Sequence, residues 1–279
     1  MDLNALIEQA YDLEPLPASA ARLAGLVADP ESTLASITEV IRLDPSLTAR
    51  VLRAANSARS AVRNPITTAH DAVIRLGRGT ILSITVGGAA RKHLQRAIPA
   101  YGLGENVLWR HSVSAALAAE SMGPFCKASI PPEAFAAALL HDIGKLVLGR
   151  FLDAQTLLLL EQAQAEGHLN PLQAESELLE VNHAELGGLI AQKWELPETI
   201  VQGITYHHRP EAGQAMICDV VCISNELAIA TGLANMPSPL IHEDHTPSFA
   251  RLGLAPQDQA RICEIIKTRF AEVLERFGA

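Results

Sequence analysis

Helix start and stop signals follow one another along the 279-residue chain, and they restrict its fold more than any other feature. Asp44-Pro45 is typical of a helix start, because proline at the first helical position loses no hydrogen bond. Apolar residues then recur on one helical face from Leu47 to Ala55. No window alternates with the two-residue period of a strand, and aromatic residues, which favour strands, make up only 4%. The sequence therefore predicts an all-α protein.

Caps and breaks divide the chain into further predicted helices. Thr68 and Asp71 resemble a capping box, and Gly77 is predicted to end that helix after Leu76. The other helices are predicted at residues 80–96, 107–122, 133–148, 157–166, 182–194, 198–208, 215–231 and 256–277, with an irregular segment at 234–252. Pro99, Gly102 and Gly104 interrupt the pattern, so we predict an N-terminal helical unit at 1–100 and a C-terminal helical unit at 101–279.

The charge of the chain is unevenly distributed. The net charge is −9, which disfavours a protein coated for nucleic acid. Residues 46–97 nevertheless hold nine Lys and Arg against the single acid Asp71, so the rest of the chain carries −17. This basic stretch, Arg50 to Arg96, could dock an acidic partner or nucleic acid, or it could pack against the acidic remainder of the protein. No aromatic residues interleave with its arginines, which disfavours stacking on a single strand.

The sequence predicts neither a secretory signal nor a membrane span. The N-terminus carries acids where a secretory signal would carry Lys or Arg. Uncharged runs such as residues 80–90 fall short of the ~20 apolar residues that span a bilayer. The four cysteines form no C-x-x-C pair. We therefore expect a cytoplasmic protein with reduced thiols and no membrane partner.

Polar residues inside apolar helices mark a candidate site. His111 shares a helical face with alanines, and His141-Asp142 interrupts the apolar run AFAAALLHDIGKLVL. Burying an unpaired imidazole and carboxylate would cost several kcal/mol, and a metal cation would satisfy both groups. Gly144 adds no side chain, so another backbone or a ligand could approach closely.

Three more histidines lie near predicted helix ends. His183 follows Asn182, an N-cap whose reciprocal partner is Glu185, and the helix dipole there keeps the imidazole neutral. His207 and His208 end the next predicted helix. Neutral imidazoles and carboxylate oxygens suit Fe, Mn, Zn or Ni better than Ca or Mg. Helical bundles build such sites between facing side chains.

Each of these features also has a structural explanation. His111 could be a hydrogen-bonded core residue, the His141-Asp142 pair a structural ion pair, and His207-His208 a helix C-terminal cap. Lys145, four residues after His141, could share its helix face and contact a phosphate, or could be a surface lysine. The remaining candidates are predicted to be solvated loop histidines (His242, His245) and buried packing cysteines (Cys218, Cys222).

Several motifs together resemble a known family. They are LEPLPASAARLAGLVADP, IRLDPSLTARVLRAANSA, a helix ending IRLG, LLHDIGKL and NHAELGGLIAQKWELPETIVQGITYHHRP. The chain resembles, from about residue 13 to 232, the HDOD branch (HD-related output domain) of the HD metallophosphohydrolase superfamily. The resemblance implies an HD-like helical bundle with an additional N-terminal helical subdomain.

The resemblance also implies a set of metal ligands. In HD proteins a first His, the His-Asp pair, further histidines and a final Asp hold one or two metals. The matching residues here are His111, His141, Asp142, His183, His207 and His208, with Asn225 at the position of the final Asp. Asparagine offers a neutral oxygen in place of a carboxylate, which lowers the expected metal affinity. In an active site of this kind a metal-bound water attacks a phosphoester, and Lys145 would steady a phosphate oxygen.

Two functional hypotheses follow. The first is a regulatory signal-transduction protein that binds a signalling protein partner or a small nucleotide-like ligand without turning it over. The second is a metal-dependent phosphohydrolase acting on a nucleotide or cyclic dinucleotide. Nucleic-acid binding through the basic stretch is a weaker third hypothesis, and the sequence predicts no oligomeric state.

Overall fold

The computed structural model describes residues 6–8, 10, 12–56, 65–166, 169–236 and 244–277. These residues form α-helices and no β-strand, which confirms the all-α prediction. The helices are α1 (Ala18–Ala28), α2 (Leu34–Leu43), α3 (Pro45–Ala55), α4 (Ala69–Leu94), α5 (Val107–Ser121), α6 (Ala134–Leu140), α7 (Lys145–Leu148), α8 (Ala154–Glu166), α9 (Pro171–Leu179), α10 (His183–Lys193), α11 (Glu198–Thr205), α12 (Pro210–Gly213), α13 (Met216–Thr231), α14 (Thr246–Leu252) and α15 (Pro256–Phe277). Within this described part, no helix combines the length and apolar character that a bilayer crossing requires.

The N-terminal helices α1, α2 and α3 all pack against α4. Their apolar faces meet in a cluster that includes Leu23, Ile37, Leu47 and Val73. The start of α3 is as predicted, because the Asp44 side chain accepts a hydrogen bond from the Leu47 N–H at 2.9 Å. Asp44 thereby satisfies one of the helix donors that lack an internal partner.

Replacing Asp44 by alanine is expected to lower the free energy of unfolding by about 1 kcal/mol at pH 7. The backbone N–H of Leu47 and the Ser19 hydroxyl, which donates at 2.8 Å, lower the pKa of Asp44. A lowered pKa means that the charged carboxylate stabilises the fold above its unfolded pKa, and that this stabilisation disappears as the pH falls through the folded pKa. Urea denaturation should show a difference in the free energy of unfolding between wild type and D44A that becomes smaller in acid. A difference that does not change with pH would contradict the role of the Asp44 carboxylate as a helix cap.

Helix α4 contains the predicted break. Thr68 Oγ1 accepts from the Asp71 N–H at 3.1 Å and begins the helix. Gly77 has φ +76° and ψ 163°, a conformation that glycine adopts readily, and the helix resumes directly after it. The two predicted helices therefore meet at a kink without an intervening loop. The buried α4 residues up to Ile81 belong to the N-terminal cluster, and the buried apolar residues from Leu82 onward belong to a second, larger cluster. The half-buried Ile84 still packs against the first cluster.

Helix α5 lies at the centre of the second cluster. It packs against α4, α6, α13 and α15, and most of its side chains are buried. Trp109 of α5 contacts Phe270 of α15 with ring centroids 6.2 Å apart. Helix α11 packs against α6, α10 and α13. These contacts bring α5, the end of α6, the start of α10 and the end of α11 to one place.

The structure corrects several predicted elements. The helix predicted at 133–148 is interrupted, because α6 ends at Leu140 and a turn precedes α7. The helix predicted at 198–208 ends at Thr205, so His207 and His208 lie in the turn beyond it. Helix α9 was not predicted, although the Asn170 capping box with Gln173 marks its start. Helix α14 lies within the segment predicted to be irregular.

Three arginines of the basic stretch have internal roles. Arg50 donates to the Ile84 carbonyl at 3.5 Å, and Arg78 donates to the carbonyls that end α1, reaching Asp29 O at 2.7 Å. The Arg91 guanidinium lies 5.4 Å from the Trp109 ring centroid. Two other members of the stretch, Arg59 and Arg63, lie outside the described residues. The described contacts favour an internal packing role for these three arginines over an open docking surface.

Candidate metal centre

The six predicted ligand residues converge in the folded protein. His111 comes from α5, His141 and Asp142 from the turn after α6, His183 from the first turn of α10, and His207 and His208 from the turn after α11. All are buried except His208, which is half-buried. Residues up to 97 positions apart thus share one site.

The Asp142 carboxylate lies between two groups of imidazoles. Its Oδ2 is 3.5 Å from His111 Nε2 and 3.4 Å from His141 Nε2, while its Oδ1 is 3.3 Å from His183 Nε2. His207 Nε2 is 3.9 Å from the same Oδ1. Two ligand groups result, each with its atoms within 4.8 Å of one another: His111, His141 and Asp142, and His183, His207 and His208. A carboxylate in this position can bridge two cations.

Hydrogen bonds from the Nδ1 atoms of two histidines determine that their Nε2 atoms face the centre. His141 Nδ1 donates to the Ala138 carbonyl at 2.7 Å, and His207 Nδ1 donates to the Ile204 carbonyl at 2.6 Å. Their Nε2 atoms therefore carry lone pairs directed inward. Within the described structure, neither His207 Nε2 nor Asp142 Oδ1 has a hydrogen-bond partner, although both are buried. Buried acceptors that converge in this way fit a metal cation.

A glutamate that the sequence analysis missed supports His183. Glu175 Oε2 accepts from His183 Nδ1 at 2.7 Å and from the His183 backbone N–H at 2.8 Å. Glu175 Oε1 accepts from the Tyr101 hydroxyl at 2.9 Å. A carboxylate behind a histidine fixes its tautomer and strengthens it as a metal ligand. The sequence feature that could have identified Glu175 is its position on the buried face of α9, between Leu172 and Leu179.

Replacing Glu175 by glutamine should weaken metal binding by about 10- to 100-fold, because the neutral amide no longer polarises His183. Glu177→Gln is the matched control, since Glu177 is exposed on the same helix. Metal affinity measured by chelator competition should fall in E175Q and stay at the wild-type value in E177Q. Equal affinities for both variants would contradict this role of Glu175.

Charges at the centre suit metal ligation. Burial lowers the pKa of His111 to about 3, and burial also lowers the pKa of His141 and His207, so these rings are neutral at pH 7. Burial opposes ionisation of Asp142, but the Lys145 ammonium holds its pKa well below the ordinary value. Neutral imidazoles and an ionised carboxylate are the protonation states that bind a metal.

Lys145 lies at the centre, but not for the predicted reason. The helix breaks between His141 and Lys145, so the two residues do not share a continuous helical face. Lys145 Nζ instead contacts Asp142 Oδ2 at 2.7 Å, and its side chain is only 14% exposed. Its contact with a phosphate remains a prediction.

Asn225 lines the same cavity as His111, His183 and His208. Its side chain is half-buried on α13, and its amide interacts with the His111 ring. Asp219, an earlier acid on α13, is bound by Arg251 at 2.6 Å and does not replace it. Asn225 therefore borders the centre on α13, beside His111.

Two glycines allow α10 to pack closely against its neighbours, Gly144 at the turn after Asp142 and Gly187 at α11. A Cβ on Gly144 would overlap the His183 carbonyl oxygen and lie 2.7 Å from Gly187 N. A Cβ on Gly187 would lie 2.8 Å from Ile204 Cγ2. The close approach expected at Gly144 is confirmed, and the approaching group is the backbone that carries His183.

The outlying histidines and cysteines have other roles. His242 lies outside the described residues. His245 is not a solvated loop residue, because its Nδ1 is 3.4 Å from Cys222 Sγ and its Nε2 is 3.3 Å from Glu226 Oε2. Cys218 and Cys222 are buried, as predicted, and neither belongs to the metal-ligand groups found among the described residues.

Comparisons with known proteins agree with this architecture. The HDOD domain profile matches residues 13–210. An uncharacterized protein of Treponema pallidum is 26% identical over 215 residues, which are 75% of this chain and 41% of that protein. An HDOD domain protein of unknown function from Geobacter sulfurreducens is 25% identical with a TM-score of 0.67, covering 98% of this chain and 97% of that one. A provisionally named phosphohydrolase from Shewanella amazonensis is 26% identical with a TM-score of 0.59, covering 94% and 97%.

Proposed function

The chain belongs to the HDOD domain family, and from this premise we propose that it is a regulatory signal-transduction protein that binds metal at its histidine–aspartate centre. In this proposal it binds a signalling partner or a small ligand beside the metal and does not turn the ligand over. The observation that carries the proposal is the position of Asp142 between two groups of inward-facing imidazoles.

The donor set favours Fe, Mn, Zn or Ni. His111, His141 and Asp142 would hold one cation, and His183, His207 and His208 would hold a second beside the other oxygen of Asp142. A cation bound there would supply positive charge and a more acidic bound water. Glu175 would keep His183 in the tautomer that ligation needs.

Two features favour binding over turnover. Asn225 provides only a neutral amide where the family resemblance implies a carboxylate, so the charge available to balance two cations is smaller. Lys145, the candidate phosphate contact, already pairs with Asp142 at 2.7 Å. Moving Lys145 onto a substrate would leave the negative charge of Asp142 less compensated.

The alternative function is metal-dependent phosphohydrolysis. Six converging ligand residues favour it, as does the similarity to the provisionally named phosphohydrolase of Shewanella amazonensis. A hydrolase of this kind would act on a nucleotide or cyclic dinucleotide, the substrate class that the sequence resemblance suggests.

Elemental analysis and a turnover assay decide between these functions. Protein purified without chelator is expected to contain a transition metal and to hydrolyse bis(p-nitrophenyl) phosphate and cyclic di-GMP no faster than the metal-free protein. Metal-dependent turnover that disappears in His141→Ala would establish the hydrolase instead. Protein that takes up no transition metal, even after incubation with Mn²⁺ or Fe²⁺, would overturn both.

Replacing Asn225 by aspartate should tighten metal binding by about tenfold or more, because it adds a negative charge beside the ligands. Asn235→Asp makes the same change at an exposed position and serves as the control. Metal content after dialysis against a weak chelator should rise in N225D only. Unchanged metal content in N225D would contradict the placement of Asn225 at the centre.

A further inference from the structure

A cavity of about 530 Å³ borders the metal centre. Its lining includes His111, His183, His208 and Lys145, and its volume is typical of small-molecule sites. Residues of α8, α9 and α13 also line the cavity. None of the six metal-ligand residues lies on these three helices. Residues of the metal centre and residues of other helices therefore line one cavity.

Part of the cavity lining is aliphatic. It consists of Leu152, Leu157, Leu160, Leu172, Ile229 and Met236, and helices α8 and α13 also contribute the polar Glu161, Gln164 and Glu226. Leu152, Leu160 and Leu172 are buried, and the other three are half-buried. Each methylene of a ligand removed from water against such walls strengthens binding by about fourfold, which corresponds to about 0.8 kcal/mol.

The charges that line the cavity are poorly suited to a ligand with several phosphates. Among the described lining residues there is no arginine, and Lys145 is already paired with Asp142. Glu161 and Glu226 add carboxylates, and Glu226 lies 3.3 Å from His245. Tyr101 is the aromatic ring among these residues, and its hydroxyl is bound to Glu175. One anionic group can approach the metal centre, whereas further anionic groups would meet the glutamates.

We infer that the cavity binds an amphiphile, a molecule with one anionic head group and an unbranched aliphatic chain. The head group meets the metal centre, and the chain lies against the leucines of α8 and α9 with Ile229 and Met236. This inference rests on the proposed metal-binding function, since the metal supplies most of the positive charge for the head group. It names a ligand class other than the nucleotides suggested by the sequence.

Isothermal titration calorimetry of the full chain, loaded with Mn²⁺, tests which class of ligand the cavity binds. The probes are butyl, hexyl and octyl phosphate, the carboxylates of the same chain lengths, GMP and cyclic di-GMP, all below their micelle concentrations. Affinity should rise about 15-fold for each two methylenes until the cavity is full. Comparison of the phosphates with the carboxylates identifies the head group. Octyl phosphate should bind more tightly than either nucleotide.

Two neighbouring leucines of α8 provide a matched pair of variants. Leu157 lines the cavity, whereas Leu158 is 59% exposed and does not. Leu157→Gln should weaken octyl phosphate binding by about tenfold or more and leave the metal content unchanged, while Leu158→Gln should change neither quantity. If circular dichroism shows that L157Q does not fold, Ile229→Gln, which changes a cavity residue on α13, repeats the test.

The possible failures are distinguishable. Three results would overturn the amphiphile inference: affinity that does not depend on chain length, tighter binding of nucleotides than of octyl phosphate, or equal binding of octyltrimethylammonium. The metal content of the protein would still test the proposed function in each case. The protein could also contain no metal and still bind alkyl phosphates with an affinity that depends on chain length and on Leu157. That result would support the ligand class and overturn the metal-binding function.

Discussion

Asp142→Asn is expected to abolish stable binding at both metal positions. Its two carboxylate oxygens lie 3.3 to 3.5 Å from the Nε2 atoms of His183, His141 and His111, so one side chain serves both ligand groups. The amide is neutral and has one acceptor oxygen. We expect metal affinity to fall by more than the roughly 10- to 100-fold that outer partners of metal ligands contribute. Elemental analysis after gel filtration should find less than one metal ion per ten chains.

Asp153→Asn is the control for this substitution. Asp153 is exposed, and its Oδ1 accepts from the Thr156 N–H at 2.8 Å, a hydrogen bond that asparagine can also accept. D153N should retain the wild-type metal content. Wild-type metal content in D142N, with native circular dichroism in both variants, would show that Asp142 is a structural ion-pair partner of Lys145 and not a metal ligand.

Gly144→Ala is expected to lower the free energy of unfolding by about 3 kcal/mol or more. The added methyl group would meet backbone atoms of His183 and Gly187, and backbone of a packed helix cannot rotate away as a flexible side chain can. Relief of the overlap requires α10 to shift, which would also displace His183. Urea denaturation should therefore show a lower midpoint, and the metal content should fall.

Gly25→Ala separates this effect from the general effect of a methyl group on glycine. Gly25 lies within α1, and an added Cβ there would have no heavy atom within 4 Å. Alanine is the better helix former, so G25A should raise the free energy of unfolding by about 0.5–1 kcal/mol. A G144A protein as stable as wild type would contradict the close packing of the turn against α10.

Local signals in the sequence predicted much of the fold. Asp44, Thr68 and Asn182 act on backbone donors within three residues, so their caps can be recognised without knowledge of the tertiary structure. Gly77 breaks α4 for a similarly local reason. His141 and Asp142 stood out because polar groups in an apolar helix need partners after burial. The full set of ligand residues was implied by the family resemblance and not by the spacing of the residues alone.

The remaining features depend on contacts distant in sequence. Nothing local marks the end of α6 at Leu140, because the apolar pattern continues past it; the turn brings Gly144 against the backbone of His183. Glu175 acquires its role only when α9 lies behind α10. His245 looked solvated in its polar segment, and its partner Cys222 lies 23 residues away. Sequence spacing could not supply these pairings.

Helix α4 also determines what would happen if the chain were divided. Ile81 packs in the N-terminal cluster and the adjacent Leu82 packs in the larger cluster, so one helix contributes to two hydrophobic cores. A fragment ending near residue 100 would expose Leu82, Val86 and Leu94 to water, at a cost of about 1.5–3 kcal/mol for each large apolar side chain. The complementary fragment would lose the wall that these residues provide. Expressed apart, the two pieces would be prone to aggregate, and expressed together they would tend to reassociate along this helix.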